Sequence, residues 1–261
     1  MTERAPRLLG PEDPAPVARF NAFGVAPFLL TGDHAGLAIP CRLGTLGLEP
    51  ADLERHIACD IGIAALGEAL ADKLDAVFLH QPYSRLVIDC NRDPASDDAI
   101  PIVSDGTPIP GNDHLSAAER EARIAAIHDP YQRTIADTIV ARQMRGQATI
   151  LVALHSFTPI IDGKERPWDI GVLHDGHDDS FARAVLASLE TIETIHVGDN
   201  APYRMDATDH SVPRHAFDSD LPYVELEVRQ DHLANDAGLH RMTQLLSRVL
   251  LDAHGPIAQD R

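Results

Sequence analysis

The feature that most constrains the fold is an apolar run at 148–154, which reads Ala-Thr-Ile-Leu-Val-Ala-Leu. A strand without alternating apolar and polar residues must be buried on both faces, as in a parallel sheet covered by helices. Shorter runs with strand character recur along the chain. They lie at 27–31, 76–79, 86–88, 169–173, 194–197 and 221–228. The run at 148–154 therefore predicts the central strand of a mixed, mostly parallel sheet.

Helical patterns separate these predicted strands. They cover 50–74, 116–144, 178–190 and 236–253, with a capping box at Ser116–Glu119 and a potential break at Pro130. Because strands alternate with helices, we predict an α/β protein with helices on both faces of the sheet. The expected architecture is a single-domain, three-layer α/β/α fold over 1–261, in which residues 1–26 form an irregular N-terminal arm.

Composition excludes several classes of function. The chain has a net charge of −18, so nucleic-acid phosphates and anionic membrane surfaces would repel it. No stretch approaches the roughly 18 apolar residues that span a bilayer, and the N-terminus lacks the apolar core of a signal peptide. The three cysteines show neither a Cys-x-x-Cys pair nor zinc-finger spacing. We therefore expect a cytoplasmic protein with neither a nucleic-acid nor a membrane partner.

Histidines and arginines lie at the ends of several predicted strands. His34 and His155 each follow an apolar run, and Arg85, Asn91 and Arg92 flank another. Neutral imidazole is a good zinc ligand, whereas guanidinium groups hold carboxylates or stabilise a developing oxyanion. In open α/β sheets, sites form at the carboxyl ends of the strands. These residues therefore indicate a metal-assisted hydrolase that acts on an acidic substrate.

Five segments resemble the N-formylglutamate amidohydrolase family, which is similar to the zinc carboxypeptidase and aspartoacylase group. They are His-Ala-Gly…Pro at 34–40, Arg…Asp-Cys-Asn-Arg at 85–92, His-Ser-Phe at 155–157, Asp-Asn-Ala-Pro-Tyr at 199–203 and Leu-Glu-Val-Arg-Gln-Asp at 226–231. The resemblance covers most of the chain, from residue 30 to about 231. It implies a zinc-peptidase-like fold and one zinc ion per chain.

The resemblance implies that His34 and His155 are zinc ligands, and it leaves the third ligand open. Zinc carboxypeptidases carry His-x-x-Glu, but Leu37 stands where the acid would be. Asp60 is the candidate replacement, because it shares an apolar helical stripe and should point inward. The alternative for Asp60 is a salt bridge or a hydrogen bond that packs the helix. Glu225 is the next candidate ligand.

Glu227 resembles the general base of the aspartoacylase group, and strand spacing places Glu225 on the same face. Arg85 resembles the arginine that polarises the scissile carbonyl of the substrate. Asn91 and Arg92 resemble the pair of residues that binds the substrate carboxylate. A salt-bridge network with nearby aspartates is the alternative for these three residues. The loop at 198–219 supplies further candidate substrate-binding residues. They are Asn200, Tyr203 and Arg204, with His215 as a weaker candidate.

The expected activity is zinc-dependent hydrolysis of the amide bond of an N-acyl amino acid. The favoured substrate is N-formyl-L-glutamate, which would give formate and L-glutamate and would connect the enzyme with histidine degradation. Two enzymatic alternatives stay open, namely a deacylase for another N-acyl amino acid and a carboxypeptidase-like peptidase. A non-catalytic protein that binds an acidic metabolite on the same fold is the alternative from another class. Metal content separates this last class from the enzymes.

Overall fold

The computed structural model describes residues 7–257. Its strands are β1 (Ala18–Phe20), β2 (Phe28–Gly32), β3 (Val77–His80), β4 (Val103–Ser104), β5 (Thr107–Pro108), β6 (Ile150–Phe157), β7 (Ile160–Ile161), β8 (Lys164–Glu165), β9 (Ile170–Leu173), β10 (Val197–Asp199) and β11 (Tyr223–Arg229). Its α-helices are α1 (Pro50–Leu53), α2 (Ile63–Leu74), α3 (Ala117–Arg123), α4 (Asp129–Met144), α5 (Ser180–Glu190), α6 (Ser211–His215) and α7 (Asp236–Ile257). Within the described residues, no helix is both long and apolar enough to span a membrane.

A seven-stranded sheet in the order β1-β3-β2-β6-β11-β9-β10 forms the centre of the fold. The four strands β3, β2, β6 and β11 are mutually parallel, while β1 and β9 run antiparallel to their neighbours β3 and β11. Every residue of β6 is buried, as expected for a central strand with helices on both sides. The prediction of a mixed, mostly parallel sheet is therefore confirmed.

Helices cover both faces of this sheet. On one face α2, α5 and α7 bury residues such as Leu66, Val185 and Leu246 in one apolar core. On the other face α4 and α6 contribute Ile135 and Val212 to a second core. Neighbouring residues of β2 alternate between the two cores, because successive side chains of a strand point to opposite faces. The predicted three-layer α/β/α arrangement is confirmed.

The strand predicted at 86–88 is wrong. Leu86 and Val87 lie in a turn and Ile88 follows it in irregular structure; all three are buried in the second core, which accounts for their apolar character. Side chains satisfy two of their carbonyl groups in place of a neighbouring strand: Asn112 Nδ2 donates to Leu86 O (2.8 Å) and Arg123 Nη1 donates to Val87 O (2.9 Å). A short apolar run shows burial but not conformation, and here the polar partners lie far along the sequence.

The single helix predicted over 50–74 is also wrong. It divides into α1 and α2, and the intervening turn contains Asp60 and ends at Gly62. Gly62 has a φ of +85°, and a Cβ atom there would lie 2.5 Å from Leu233 Cβ. Only glycine adopts this conformation without strain at such a close approach. Asp60 is thus placed by a turn, in which its backbone nitrogen donates to His34 O (2.9 Å), rather than by a helical stripe.

Smaller differences concern element ends. Ala18–Phe20 form the edge strand β1 inside the segment that was expected to be irregular. The 116–144 segment stays helical throughout: a π-helical turn at Ile124–His128 joins α3 to α4, so the potential break at Pro130 does not occur. Strand β10 begins at Val197, where the predicted strand ends.

Candidate active site

A cleft of about 460 Å³ opens at the carboxyl ends of the parallel strands. His34 follows β2, His155 lies near the end of β6, and Glu225 and Glu227 lie on β11 opposite Ala153 and His155. The loops around the sheet complete the cleft. Its lining includes His34, His56, Asp60, Arg85, Asn91, Arg92, His155, Thr158, Tyr203, Arg204, Asp206, Thr208, Asp209, Glu225 and Glu227.

His34, Asp60 and His155 form a buried cluster in which potential ligand atoms all lie within 4.8 Å of one another. Asp60 Oδ2 accepts a hydrogen bond from His155 Nδ1 (2.9 Å) and lies 3.4 Å from His34 Nδ1. His34 Nδ1 forms no hydrogen bond with any residue of 7–257, although it is buried. A buried nitrogen without a partner beside a carboxylate suits a cation. The structure thus brings the three predicted ligands together.

Asp89 holds His34 and Arg85 in place, whereas the sequence analysis considered it only as a salt-bridge partner of the nearby arginines. Its Oδ1 atom accepts a hydrogen bond from His34 Nε2 (2.6 Å), which leaves His34 Nδ1 free to face Asp60. Its Oδ2 atom accepts from Arg85 Nη2 (2.6 Å) and Nε (3.1 Å). Carboxylates commonly fix the orientation of metal-binding histidines in this way. The Asp in the Asp-Cys-Asn-Arg segment was the available signal.

Opposite charges dominate the electrostatics of the cluster. Burial alone would raise the pKa of Asp60, but His34 and His155 outweigh burial and hold it well below its ordinary value. Burial likewise opposes a charged His155, yet the hydrogen bond to Asp60 and the nearby Glu225 raise the pKa of His155 well above its ordinary value. The site therefore favours positive charge between these side chains.

Glu225 and Glu227 are both buried, and one carboxylate oxygen of each forms no hydrogen bond with the described residues. Burial raises the pKa of each carboxyl group to about 8. Two adjacent buried acids beside the His34–Asp60–His155 cluster are suited to proton transfer, because their environment brings their pKa values close to neutral pH. The structure places the predicted base Glu227 beside His155, as the register of β11 and β6 requires.

The predicted substrate-binding residues Asn91 and Arg92 line the cleft but also support its walls. Asn91 Oδ1 accepts from the backbone nitrogens of His210 (3.0 Å) and Ser211 (2.9 Å). Arg92 Nη1 donates to Thr208 O (3.2 Å), and Arg92 Nε lies 3.3 Å from Asp98. The alternative of a salt-bridge network is thus part of the structure: Arg85 pairs with Asp89, and Arg92 pairs with Asp98 and with the distant Asp209.

The N-formylglutamate amidohydrolase family model matches residues 26–234. The chain belongs to this family. As a member, it is an amidohydrolase, and the resemblance drawn from the five sequence segments is confirmed.

Two solved structures are similar to this amidohydrolase over nearly its whole length. A gene product of Agrobacterium tumefaciens is 36% identical, with a TM-score of 0.93 over 97% of this chain and 100% of that chain. An N-formylglutamate amidohydrolase from Ralstonia eutropha is 18% identical, with a TM-score of 0.71 over 95% of this chain and 100% of that chain. This second similarity shows the shared fold. No curated protein matches the sequence significantly.

The 198–219 loop brings only some of the predicted residues of this amidohydrolase into the cleft. Tyr203 and Arg204 line it, whereas Asn200 does not and instead accepts a hydrogen bond from the backbone nitrogen of His174 (3.0 Å). Sequence reasoning missed Arg166, whose Nη1 donates to Tyr203 Oη (2.9 Å) and whose guanidinium lies over the Phe157 ring. Only the tertiary structure reveals Arg166, because it follows a hairpin without a site-like pattern.

The cleft lining does not include His215, the weaker candidate from the sequence, nor does it include His174 or Arg229. His215 is buried and bonded to Gln132 Oε1 (2.6 Å). His174 pairs with Asp199 (2.8 Å). Arg229, which shares the β11 pattern with Glu227, pairs with Asp169 (3.0 Å) beyond the end of the strand. The roles of all predicted site residues stay predictions for experiment.

Proposed function

We propose that this amidohydrolase uses one zinc ion to hydrolyse the amide bond of an N-acyl amino acid. The first candidate substrate is N-formyl-L-glutamate, with formate and L-glutamate as products. The observation that carries the proposal is the buried cluster of His34, Asp60 and His155 directly beside Glu227. A cytoplasmic location and a role in histidine degradation belong to the same proposal and rest on family membership.

The donor set fits zinc. Two imidazole nitrogens and one carboxylate oxygen are typical of catalytic zinc sites, which use three protein ligands and leave a position open. His34, Asp60 and His155 would hold the ion. Zinc, when bound, supplies a Lewis acid that polarises the amide carbonyl and activates water.

Glu227 acts as the general base in the proposed reaction. Its carboxylate takes a proton from the attacking water and returns it to the leaving amine nitrogen. Arg85 also lines the cleft, and its Nη1 lies 3.4 Å from Asp60 Oδ1. The two hydrogen bonds to Asp89 fix this guanidinium, so its donors are oriented before the carbonyl oxygen gains charge.

Two further arginines that line the cleft would bind the carboxylates of the substrate. Arg92 and Asn91 would orient the α-carboxylate, since a guanidinium offers two parallel donors to a carboxylate. Arg204 lines the same cleft and has no ion pair among the described residues, so it would accept the side-chain carboxylate. An acidic small molecule is therefore the substrate class that this cleft favours.

Metal analysis of purified variants tests the zinc ligands. Zinc per chain should fall well below one for His34→Ala and His155→Ala, and also for Asp60→Ala. Glu165→Gln serves as a control, because this exposed acid on β8 lies away from the cleft. Unchanged zinc stoichiometry in both histidine variants would refute the assignment.

Kinetics of Glu227→Gln tests the general base. Glutamine preserves the shape but cannot accept the proton, so kcat should fall by about 10² to 10⁴, equivalent to roughly 3–5 kcal/mol, while zinc stays bound. Activity within a few-fold of wild type would transfer the role to another residue, with Glu225 examined next.

A substrate panel tests the identity of the amide. Release of free amine is compared for N-formyl-L-glutamate, its α-carboxamide, N-acetyl-L-glutamate and short peptides with a free carboxyl terminus. The proposal expects the first compound to react fastest and its α-carboxamide to react poorly. Faster turnover of the acetyl compound or of a peptide would identify one of the alternative activities.

A further inference from the structure

Asp33 is a buried acid behind the candidate metal cluster, and the proposed mechanism assigns it no role. It follows β2 immediately before His34 and is only 1% exposed. Its Oδ1 atom accepts a hydrogen bond from Tyr131 Oη on α4 (2.7 Å). Because burial of an unpaired carboxylate is costly, the second oxygen needs a partner as well.

The second oxygen of Asp33 faces the outer nitrogen of His155. Asp33 Oδ2 lies 3.8 Å from His155 Nε2, and both side chains are almost wholly buried. Neither atom forms a hydrogen bond with any residue of 7–257. Asp33 Oδ2 is an acceptor and His155 Nε2 is a potential donor, and a shift of about 1 Å would bring the two atoms to hydrogen-bond distance.

The same arrangement already exists on the other histidine of the cluster. Asp89 accepts a hydrogen bond from His34 Nε2 at 2.6 Å, so Nδ1 is the nitrogen that faces Asp60. His155 also turns its Nδ1 toward Asp60, at 2.9 Å, and a metal ion bound there would replace the Nδ1 proton of that hydrogen bond. An imidazole that offers Nδ1 as a ligand carries its proton on Nε2, and that proton needs an acceptor.

We infer that Asp33, held by Tyr131, is a positioning residue that fixes the Nε2–H form of His155 and turns His155 Nδ1 toward the metal. This inference rests on the proposed zinc site. It assigns one carboxylate to each histidine, Asp89 to His34 and Asp33 to His155. Removing such an outer carboxylate from a metal site commonly weakens metal affinity by about 10-fold to 100-fold.

Zinc affinity of the full chain, measured by competition with a chelator of known affinity, tests the inference. We expect the Kd of Asp33→Asn to rise by about 10-fold to 100-fold, and that of Tyr131→Phe by a smaller factor because the carboxylate remains. In the cobalt-substituted protein, the visible absorption band should shift in Asp33→Asn. Tyr223→Phe is the matched control, since it removes another buried tyrosine hydroxyl that is bonded to an aspartate, Asp175, outside the cleft.

The outcomes separate this inference from the proposed function. A wild-type chain that binds no zinc overturns both. A wild-type chain that binds zinc, with Asp33→Asn folded and its Kd within about 3-fold, overturns only the role of Asp33. If thermal unfolding shows that Asp33→Asn does not fold, Tyr131→Phe decides: an affinity equal to that of Tyr223→Phe overturns the inference, and a weaker affinity supports it.

Discussion

Arg123 should be essential for the turn that carries Arg85 into the cleft. It is 1% exposed, and its guanidinium donates to Val87 O (2.9 Å), Asn112 Oδ1 (2.6 Å) and Gly111 O (2.9 Å). Val87 lies in the turn between Arg85 and Asp89. We predict that Arg123→Met, which keeps the length of the side chain but removes its donors, destabilises the protein.

The magnitude follows from the three acceptors that lose their partner. Each buried acceptor left without a hydrogen bond costs about 1–3 kcal/mol, so the gross loss is roughly 3–9 kcal/mol. Burying the guanidinium is itself unfavourable, as shown by burial lowering the pKa of Arg123 to about 10, and methionine removes this cost. We therefore expect a net loss of about 2–4 kcal/mol in the free energy of unfolding. For a chain of this size that corresponds to a fall in Tm of roughly 5–15 °C.

Urea denaturation and thermal unfolding of Arg123→Met measure this loss. Arg133→Met is the control, because Arg133 is exposed on the neighbouring helix and its replacement should change stability by less than about 0.5 kcal/mol. The turn also carries Arg85, so kcat/KM should fall even at temperatures where the variant is folded. A loss below about 1 kcal/mol would show that Arg123 does not hold the turn.

Three further predictions concern specificity, backbone geometry and pH. Arg204→Met should raise KM for N-formyl-L-glutamate more than for N-formyl-L-alanine, because only the former has a side-chain carboxylate; equal effects would contradict this role. Gly62→Ala should lower the free energy of unfolding by about 2–4 kcal/mol, because Gly62 has a positive φ and Leu233 lies close to it. Gly106→Ala is the control: Gly106 also has a positive φ, but a Cβ there would have no atom within 4 Å, so the loss should be only about 1 kcal/mol. Burial lowers the pKa of His215 to about 4, so the unfolded chain binds the extra proton and stability should fall from pH 6.5 to pH 4. Urea titrations across that range should show a shallower fall in His215→Gln.

The layers of the fold could be predicted from the sequence, because the hydrophobic period of each main strand or helix shows which of its faces are buried. The run at 148–154 had to be central, and the helical patterns at 178–190 and 236–253 had to cover it. These elements formed as predicted, with ends displaced by a few residues. His34 and His155 could be found for the same reason, since parallel strands bring their carboxyl ends to one edge.

The turns that complete the site could not be predicted from local patterns. Leu86–Ile88 looks like a strand, but its carbonyls are satisfied by Asn112 and Arg123, which lie more than 20 residues away in sequence. The prediction that Asp60 lies with His34 and His155 used a helical pattern, yet the chain is not helical there, because Gly62 interrupts the pattern. Long-range hydrogen bonds and the positive φ of Gly62 determine these positions, and neither produces a periodic pattern of apolar residues in the sequence.

The acidic composition of the chain is compatible with the proposed anionic substrate, because the cleft arginines are already oriented. Charges beyond roughly 8 Å are largely screened at physiological salt, so the net charge of −18 matters less than the groups within the cleft. Asp89 fixes Arg85, and Asp98 together with Thr208 O restrains Arg92. A restrained guanidinium loses little side-chain entropy when a carboxylate binds. The same aspartates also compete for the positive charge, so an incoming carboxylate must offer better geometry than they do. This competition favours a substrate whose carboxylates match the spacing of the arginines over anions in general.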